Sequence, residues 1–193
     1  MARTRQFDER QALQAAMLVF WEKGYDGTSI NDLEQAMGLN RTSIYNAFGN
    51  KGALFERVMT CYKESVMAEL FARLDSAPNI REGIRRMLNG ALDIHFDEDN
   101  PGGCLVVLSV MDSGQHDYQS ISAMQQTMQE LKYVLQSRIS KARKNGELAN
   151  DIDPGATATT IATTMAGLMV MGKANMSKAS LKKTINQILG LLD

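Results

Sequence analysis

The stretch Thr28-Ser29-Ile30-Asn31-Asp32-Leu33-Glu34-Gln35-Ala36-Met37-Gly38-Leu39-Asn40-Arg41-Thr42-Ser43-Ile44-Tyr45-Asn46-Ala47-Phe48 decides how the chain folds. Thr28 and Ser29 are helix-opening residues, Ile30, Leu33 and Met37 follow on one helical face, and Gly38 supplies a C-terminal stop. After a turn of about three residues, Asn40 opens a second short helix with Ile44 and Phe48 as its buried pair and Gly49 as its stop. Two short helices joined by a tight glycine turn form the helix-turn-helix layout, in which the second helix enters the major groove of DNA. With Ile44 and Phe48 inward, Arg41, Thr42, Ser43, Tyr45 and Asn46 point outward, a polar set able to donate to base edges and phosphates. Lys51 begins the next helix, where its charge and the free amides together favour a phosphate.

Working outward, Asp8 caps a preceding helix with Leu13, Ala16, Met17 and Phe20 at helical spacing, stopped at Gly24. On the other side Asn50 caps a longer helix with Leu54, Val58, Cys61 and Met67 inward, running to Asp75 before Ser76-Ala77-Pro78. Asn79 opens a fifth helix carrying Ile80, Ile84, Met87, Leu88 and Ala91, closed by the polar run from Asp97 to Gly103. A short apolar helix spans Cys104 to Met111. Then comes the clearest amphipathic pattern, Ile121, Met124, Met128, Leu131, Leu135 and Ile139, ended by Gly146. Pro154 suits the first turn of an eighth helix reaching Gly172. Ser177 caps a ninth, with Leu181, Ile185, Ile188, Leu189 and Leu192 on one face. The expected class is all-α, about nine helices, with a DNA-binding unit at 1–52 and a larger helical unit at 53–193.

Composition bounds the partners. The 193 residues are 44% hydrophobic, which excludes a disordered chain, and a formal net charge of -1 means that a nucleic acid must be held locally rather than by a global basic field. Arg3, Arg5 and Arg10 add charge near the start of the chain. Two cysteines without metal-ligand spacing point to a reducing compartment. The chain opens without a signal-peptide pattern, and no run approaches the roughly 20 apolar residues of a membrane helix. The expectation is a cytoplasmic protein with no membrane partner, no metal and no cofactor. The Asp97-Glu98-Asp99-Asn100 run lacks the downstream glutamate of a calcium loop, and Gly49-Asn50-Lys51-Gly52 has the wrong spacing for a phosphate loop.

The stretches Gly24-Tyr25-Asp26-Gly27-Thr28-Ser29-Ile30-Asn31-Asp32-Leu33, Ala36-Met37-Gly38-Leu39-Asn40 and Ser43-Ile44-Tyr45-Asn46-Ala47-Phe48-Gly49-Asn50-Lys51-Gly52-Ala53-Leu54-Phe55 resemble the TetR family of transcriptional regulators. The resemblance covers about a quarter of the chain. It implies that Tyr45 and Lys51 clamp phosphates, that Thr28, with Ser29 beside it, makes a backbone contact, and that Arg41, Thr42, Ser43 and Asn46 occupy variable base-reading positions. Asn31 departs from any fixed pattern and reads either a base or a phosphate.

The resemblance further implies an all-helical ligand-binding and dimerisation unit, and hence a repressor that binds a (pseudo)palindromic operator as a homodimer and is released by a small-molecule effector. An activator of the same architecture is the alternative. Pairing is expected through the last two helices, by Met165, Met169, Leu181, Ile185, Ile188 and Leu192, while Met87, Met111, Met124 and Met128 suit an adaptable interior. Cys104 follows Gly102 and Gly103 at a helix start, where free amides favour a thiolate. The Gly-Gly-Cys-Leu run resembles a TetR subgroup in which some members sense electrophiles or oxidants, with Lys173 lowering the thiol pKa if the fold brings it close. The competing reading makes Cys104 a small buried hydrophobe. A helical enzyme would have to pair Cys104 with His95 or His116, with no third group to orient the base.

Overall fold

The computed structural model describes residues 7–111 and 118–192, which form helices and turns with no strand among them. Arg3, Arg5 and His116 lie outside the described residues, as do the side chains of Met111, Ile121 and Met124.

The first four helices, like three later ones, begin where a short polar side chain accepts a backbone N–H. Asp8 caps α1 (Glu9–Gly27), and Gly24 interrupts that helix with φ 71°, so the regular part ends where the sequence predicts and Tyr25 to Gly27 add one further turn. Ser29 and Asp32 form a reciprocal capping box on α2 (Ile30–Met37), which closes at the left-handed Gly38. Asn40 caps α3 (Arg41–Phe48) through the Ser43 amide at 2.8 Å, and Asn50 caps α4 (Lys51–Tyr62) through the Ala53 amide at 2.8 Å.

The long helix expected from Asn50 to Asp75 is one rod with a defect inside it. A π turn at Lys63–Met67 joins α4 to α5 (Ala68–Asp75), and Ser65 Oγ donates to the Cys61 carbonyl at 2.7 Å within it. Such a side-chain bond competes with the regular ladder and favours a local change of pitch. The next helix, α6 (Ile80–His95), packs so closely on α5 that a Cβ on Gly83 would lie 2.6 Å from the Leu74 carbonyl oxygen. It is followed by α7 (Leu105–Met111), α8 (Tyr118–Lys144), α9 (Pro154–Lys173, with Pro154 in its first turn), α10 (Lys178–Leu189) and a 3-10 turn at Gly190–Leu192.

One apolar core runs from Phe20, Trp21, Leu33 and Ile44 through Phe55, Leu92 and Leu105 to Leu135, Ile161 and Ile185. The α1 helix packs on α2, α4 and α7, while α6 packs on α5, α9 and α10. This arrangement corrects the expected pairing surface. Met165, Met169, Leu181, Ile185 and Leu192 are each no more than 5% exposed within a single chain, and Ile188 is half-buried. The first five fill the protomer's own core because α6 lies against both α9 and α10, so their side chains do not face outward. The outward sides of the same helices carry Gly167 and Met171, with Leu191 exposed just beyond α10.

Candidate nucleic-acid interface and buried thiol

Residues Ile44 and Phe48 of α3 are buried, and the opposite face presents Arg41, Thr42, Tyr45 and Asn46 to solvent, with Ser43 half-buried beside the cap. The helix is tied to α2 in front of it. Glu34 Oε1 accepts the Arg41 backbone N–H at 2.6 Å, its second oxygen lies 3.9 Å from Arg41 Nε, and Arg41 Nη2 donates to Asn31 Oδ1 at 3.1 Å. Asn31 is therefore the arginine's neighbour as well as an exposed polar group. The α2 helix is in turn tied to α1 by Lys23 Nζ, which lies 2.6 Å from Asp32 Oδ1. That lysine bond and the Ser29 hydroxyl and amide hold the Asp32 carboxyl below the usual carboxylate range.

Two residues of the expected contact set are spent on the fold. Thr28 is 1% exposed and its hydroxyl donates to the Gly24 carbonyl at 2.6 Å, so its side chain fixes the turn into α2 and faces inward. Ser29 is exposed, but its hydroxyl accepts the Asp32 amide and donates to the Asp32 carboxylate. Lys51 is half-buried, its ammonium 4.4 Å from the Tyr25 ring centroid, and the Tyr25 ring lies against those of Phe20 and Phe55. Burial pushes the Lys51 pKa down, with Asp26 opposing. An aromatic face beside an ammonium orients it without neutralising it, and the position at the α4 start aligns it with free helix amides.

Cys104 precedes α7, and its sulfur is 3.3 Å from the Tyr62 hydroxyl of α4, which donates to it. Both are buried, and burial, then the neighbouring Cys104, raises the Tyr62 pKa well above its ordinary value. The loop leading to Cys104 is held from three directions. Trp21 Nε1 of α1 donates to the Gly102 carbonyl at 3.1 Å, Lys173 Nζ of α9 donates to the Pro101 carbonyl at 2.7 Å, and the Gly103 N–H donates to His95 Nδ1 of α6. Gly102 and Gly103 both have positive φ, 74° and 77°, a conformation that only glycine adopts without strain. Lys173 thus reaches the loop with its ammonium on Pro101, while the group touching the sulfur is Tyr62. His95 is bound on both sides, by Gly103 and by the Gly172 backbone, which leaves it unsuited to act as the base of a cysteine nucleophile. Cys61, expected inward, is only half-buried. It lines an open groove of about 780 Å³ between α1 and α4, with its thiol pKa pushed up by burial and then by Glu64.

Residues 12–58 match the bacterial regulatory proteins of the tetR family, and residues 81–188 match the tetracyclin repressor-like C-terminal domain. The chain belongs to the TetR family. The uncharacterized HTH-type transcriptional regulator YezE of Bacillus subtilis is 27% identical over 100% of both chains. The HTH-type transcriptional repressor ComR of Escherichia coli is 26% identical over 97% of this chain and 88% of its own. A cysteine-substituted form of the TetR family transcriptional regulator CifR, complexed with 26-bp double-strand operator DNA, is 31% identical over 100% of both chains with a TM-score of 0.91. A second CifR complex with operator DNA has a TM-score of 0.89 and 33% identity over 97% of this chain and 98% of its own.

As a TetR-family member the protein is a helix-turn-helix transcriptional regulator, and proteins of this family act as dimers on DNA and bind small-molecule effectors. No helix of the described residues is long and apolar enough to cross a membrane. Four residues carry contacts that sequence reasoning missed: Glu34 at the start of α3, Tyr25 under Lys51, Tyr62 beside Cys104, and Trp21 at the glycine turn. Of these only Tyr25 lies within the stretches that carry the family resemblance; Glu34 falls between two of them, and nothing local marks the other two.

Proposed function

We propose that this TetR-family regulator is a repressor, working in the cytoplasm as a homodimer on a two-fold operator. In this reading residues 1–52 hold the DNA and residues 53–193 bind a partner protomer and an effector. The observation that carries the reading is the polarity of α3. Its apolar pair is buried, Arg41, Thr42, Tyr45 and Asn46 face outward, and Lys51 stands at the start of the adjoining helix, in a fold whose relatives include proteins solved on operator DNA. Asn31, Ser29 and Ser43 border that face. Pairing is assigned to the outward sides of α9 and α10, where Gly167, Met171 and Leu191 are exposed; two protomers double the base contacts that one short helix can make.

Release is assigned to the loop at Cys104. An electrophile or oxidant that adds bulk to a sulfur 3% exposed and in contact with Tyr62 must displace the loop held by Trp21, His95 and Lys173. A reversible effector in the interior is the second reading. Ser109 favours it, since its hydroxyl is buried without a hydrogen-bond partner among the described residues and such a group is costly unless something satisfies it. No enzymatic step is assigned, because Cys104 has no free base beside it among the described residues.

The test is a footprint on the DNA upstream of the protein's own coding region, followed by a salt series on the protected duplex. Binding by phosphate clamps and a reading helix gives an affinity that falls linearly, on logarithmic axes, with salt. Absence of any retained duplex at low salt overturns the reading.

A further inference from the structure

We infer that Glu34 and Asn31 are positioning residues that turn Arg41 into a guanine reader, an inference that rests on the DNA-binding reading above. The guanidinium has two edges able to donate in pairs. One, formed by Nε and Nη2, is turned to α2: Nη2 donates to Asn31 Oδ1 at 3.1 Å, and Nε lies 3.9 Å from Glu34 Oε2. The other edge, formed by Nη1 and the second N–H of Nη2, has no partner among the described residues, and the side chain as a whole is 58% exposed. Two parallel donors on one free edge match the O6 and N7 acceptors that guanine presents in the major groove.

Glu34 also explains why the target is a base and not a phosphate. Its carboxylate lies against the guanidinium and accepts the Arg41 backbone N–H at 2.6 Å, which places a negative charge at the start of the reading helix. A phosphate brought to the same arginine would meet that charge, whereas a base edge carries none. The arrangement further removes rotamer freedom from a long side chain before DNA arrives, so the ordering cost is not paid on binding. Arg41 leads α3, and Asn31 and Glu34 lie three residues apart on α2, one turn of helix, so both reach the same guanidinium.

The experiment starts from purified full-length protein selected against a duplex library with a randomised core. The enriched duplex, its versions with each G·C pair replaced by A·T, and a random-sequence duplex are then used in competition binding. Wild type is expected to prefer guanine at one step of each half-site by roughly ten- to a hundredfold. Arg41→Ala loses that preference. Asn31→Ala and Glu34→Ala lose most of it, while Glu34→Ala, which removes a negative charge from beside the DNA face, binds the random duplex no more weakly than wild type. Glu34→Gln keeps an oxygen for the Arg41 N–H but lacks the charge, and is expected to fall between. The double variant Arg41→Ala with Glu34→Ala is expected to be no worse at that step than Arg41→Ala alone, because a positioning residue has nothing left to position. The inference is overturned if Glu34→Ala retains the guanine preference, if its loss adds to that of Arg41→Ala, or if Arg41→Ala weakens all duplexes equally, the mark of a phosphate contact. A wild type that enriches no sequence overturns instead the DNA-binding reading beneath it.

Discussion

The indole Nε1 of Trp21 donates a 3.1 Å hydrogen bond to the carbonyl of Gly102, joining the first helix to a glycine turn 81 residues away. Cys104 follows two residues later, so whatever displaces this turn is felt directly by the helix on which α2 rests.

Replacing Trp21 by phenylalanine keeps an aromatic ring but leaves the Gly102 carbonyl without its donor. The cost is expected at about 1–3 kcal/mol of folding stability, read from denaturant unfolding. Release from DNA by thiol reagents should also weaken in this variant if the bond transmits the movement; an unchanged release curve assigns the transmission elsewhere.

The thiol prediction separates the two cysteines. Wild type and Cys61→Ser should leave DNA on treatment with a mild electrophile or hypohalous oxidant, and Cys104→Ser should remain bound, with peptide mass spectrometry locating the adduct. Equal release by Cys104→Ser removes the cysteine from the mechanism and leaves a reversible effector as the inducer.

For the phosphate clamp, Tyr45→Phe and Lys51→Ala should weaken binding to operator and random duplexes in the same proportion, since phosphates carry no sequence. Loss of Lys51 should lower the salt slope by about one. A selective loss on the operator alone would show that either residue reads a base.

Pairing is tested on opposite sides of α9 and α10. Ile185→Glu places a charge in the protomer's core and should unfold it, a loss above about 4 kcal/mol, visible by circular dichroism. Gly167→Arg and Met171→Glu alter only exposed positions, and a Cβ at Gly167 meets no atom within 4 Å. These should give folded monomers in sedimentation, and intact dimers from both would move the interface away from α9.

Stability should depend on His95. Burial is the main cause that lowers its pKa, with the Gly172 backbone bond opposing and the Lys173 charge assisting. Because the folded value lies below the unfolded one, the unfolded chain binds its proton first. The contribution is fully present above about pH 6.5 and is lost as pH falls from there toward the lowered folded value. Denaturant midpoints should fall over this window in wild type and fall less in His95→Gln. Gly172→Ala is a second probe of the same contact, since its Cβ would sit 2.3 Å from His95 Nε2.

Much of this molecule was legible along the chain because the rules involved are local. Asp8, Ser29, Asn40, Asn50, Asn79 and Ser177 cap helices by accepting an amide three residues ahead, so spacing alone predicts each of these starts. The same holds for the buried pair Ile44 and Phe48 and for the outward residues between them. Periodicity shows that a face is buried without showing what buries it. The stripe of Leu181, Ile185 and Leu192 reads equally well as a partner's seat or as the protomer's core, and only the placement of α6 against α9 and α10 decided for the core. Of the groups around Cys104, Lys173 was expected, and its ammonium bonds the Pro101 carbonyl of the loop; Tyr62, 42 residues away, and Trp21, whose loop contact spans 81, were beyond reach. Local chemistry therefore determined the helices and the reading face, while contacts between distant segments, which no spacing rule encodes, decided which surfaces remain free and what surrounds the thiol.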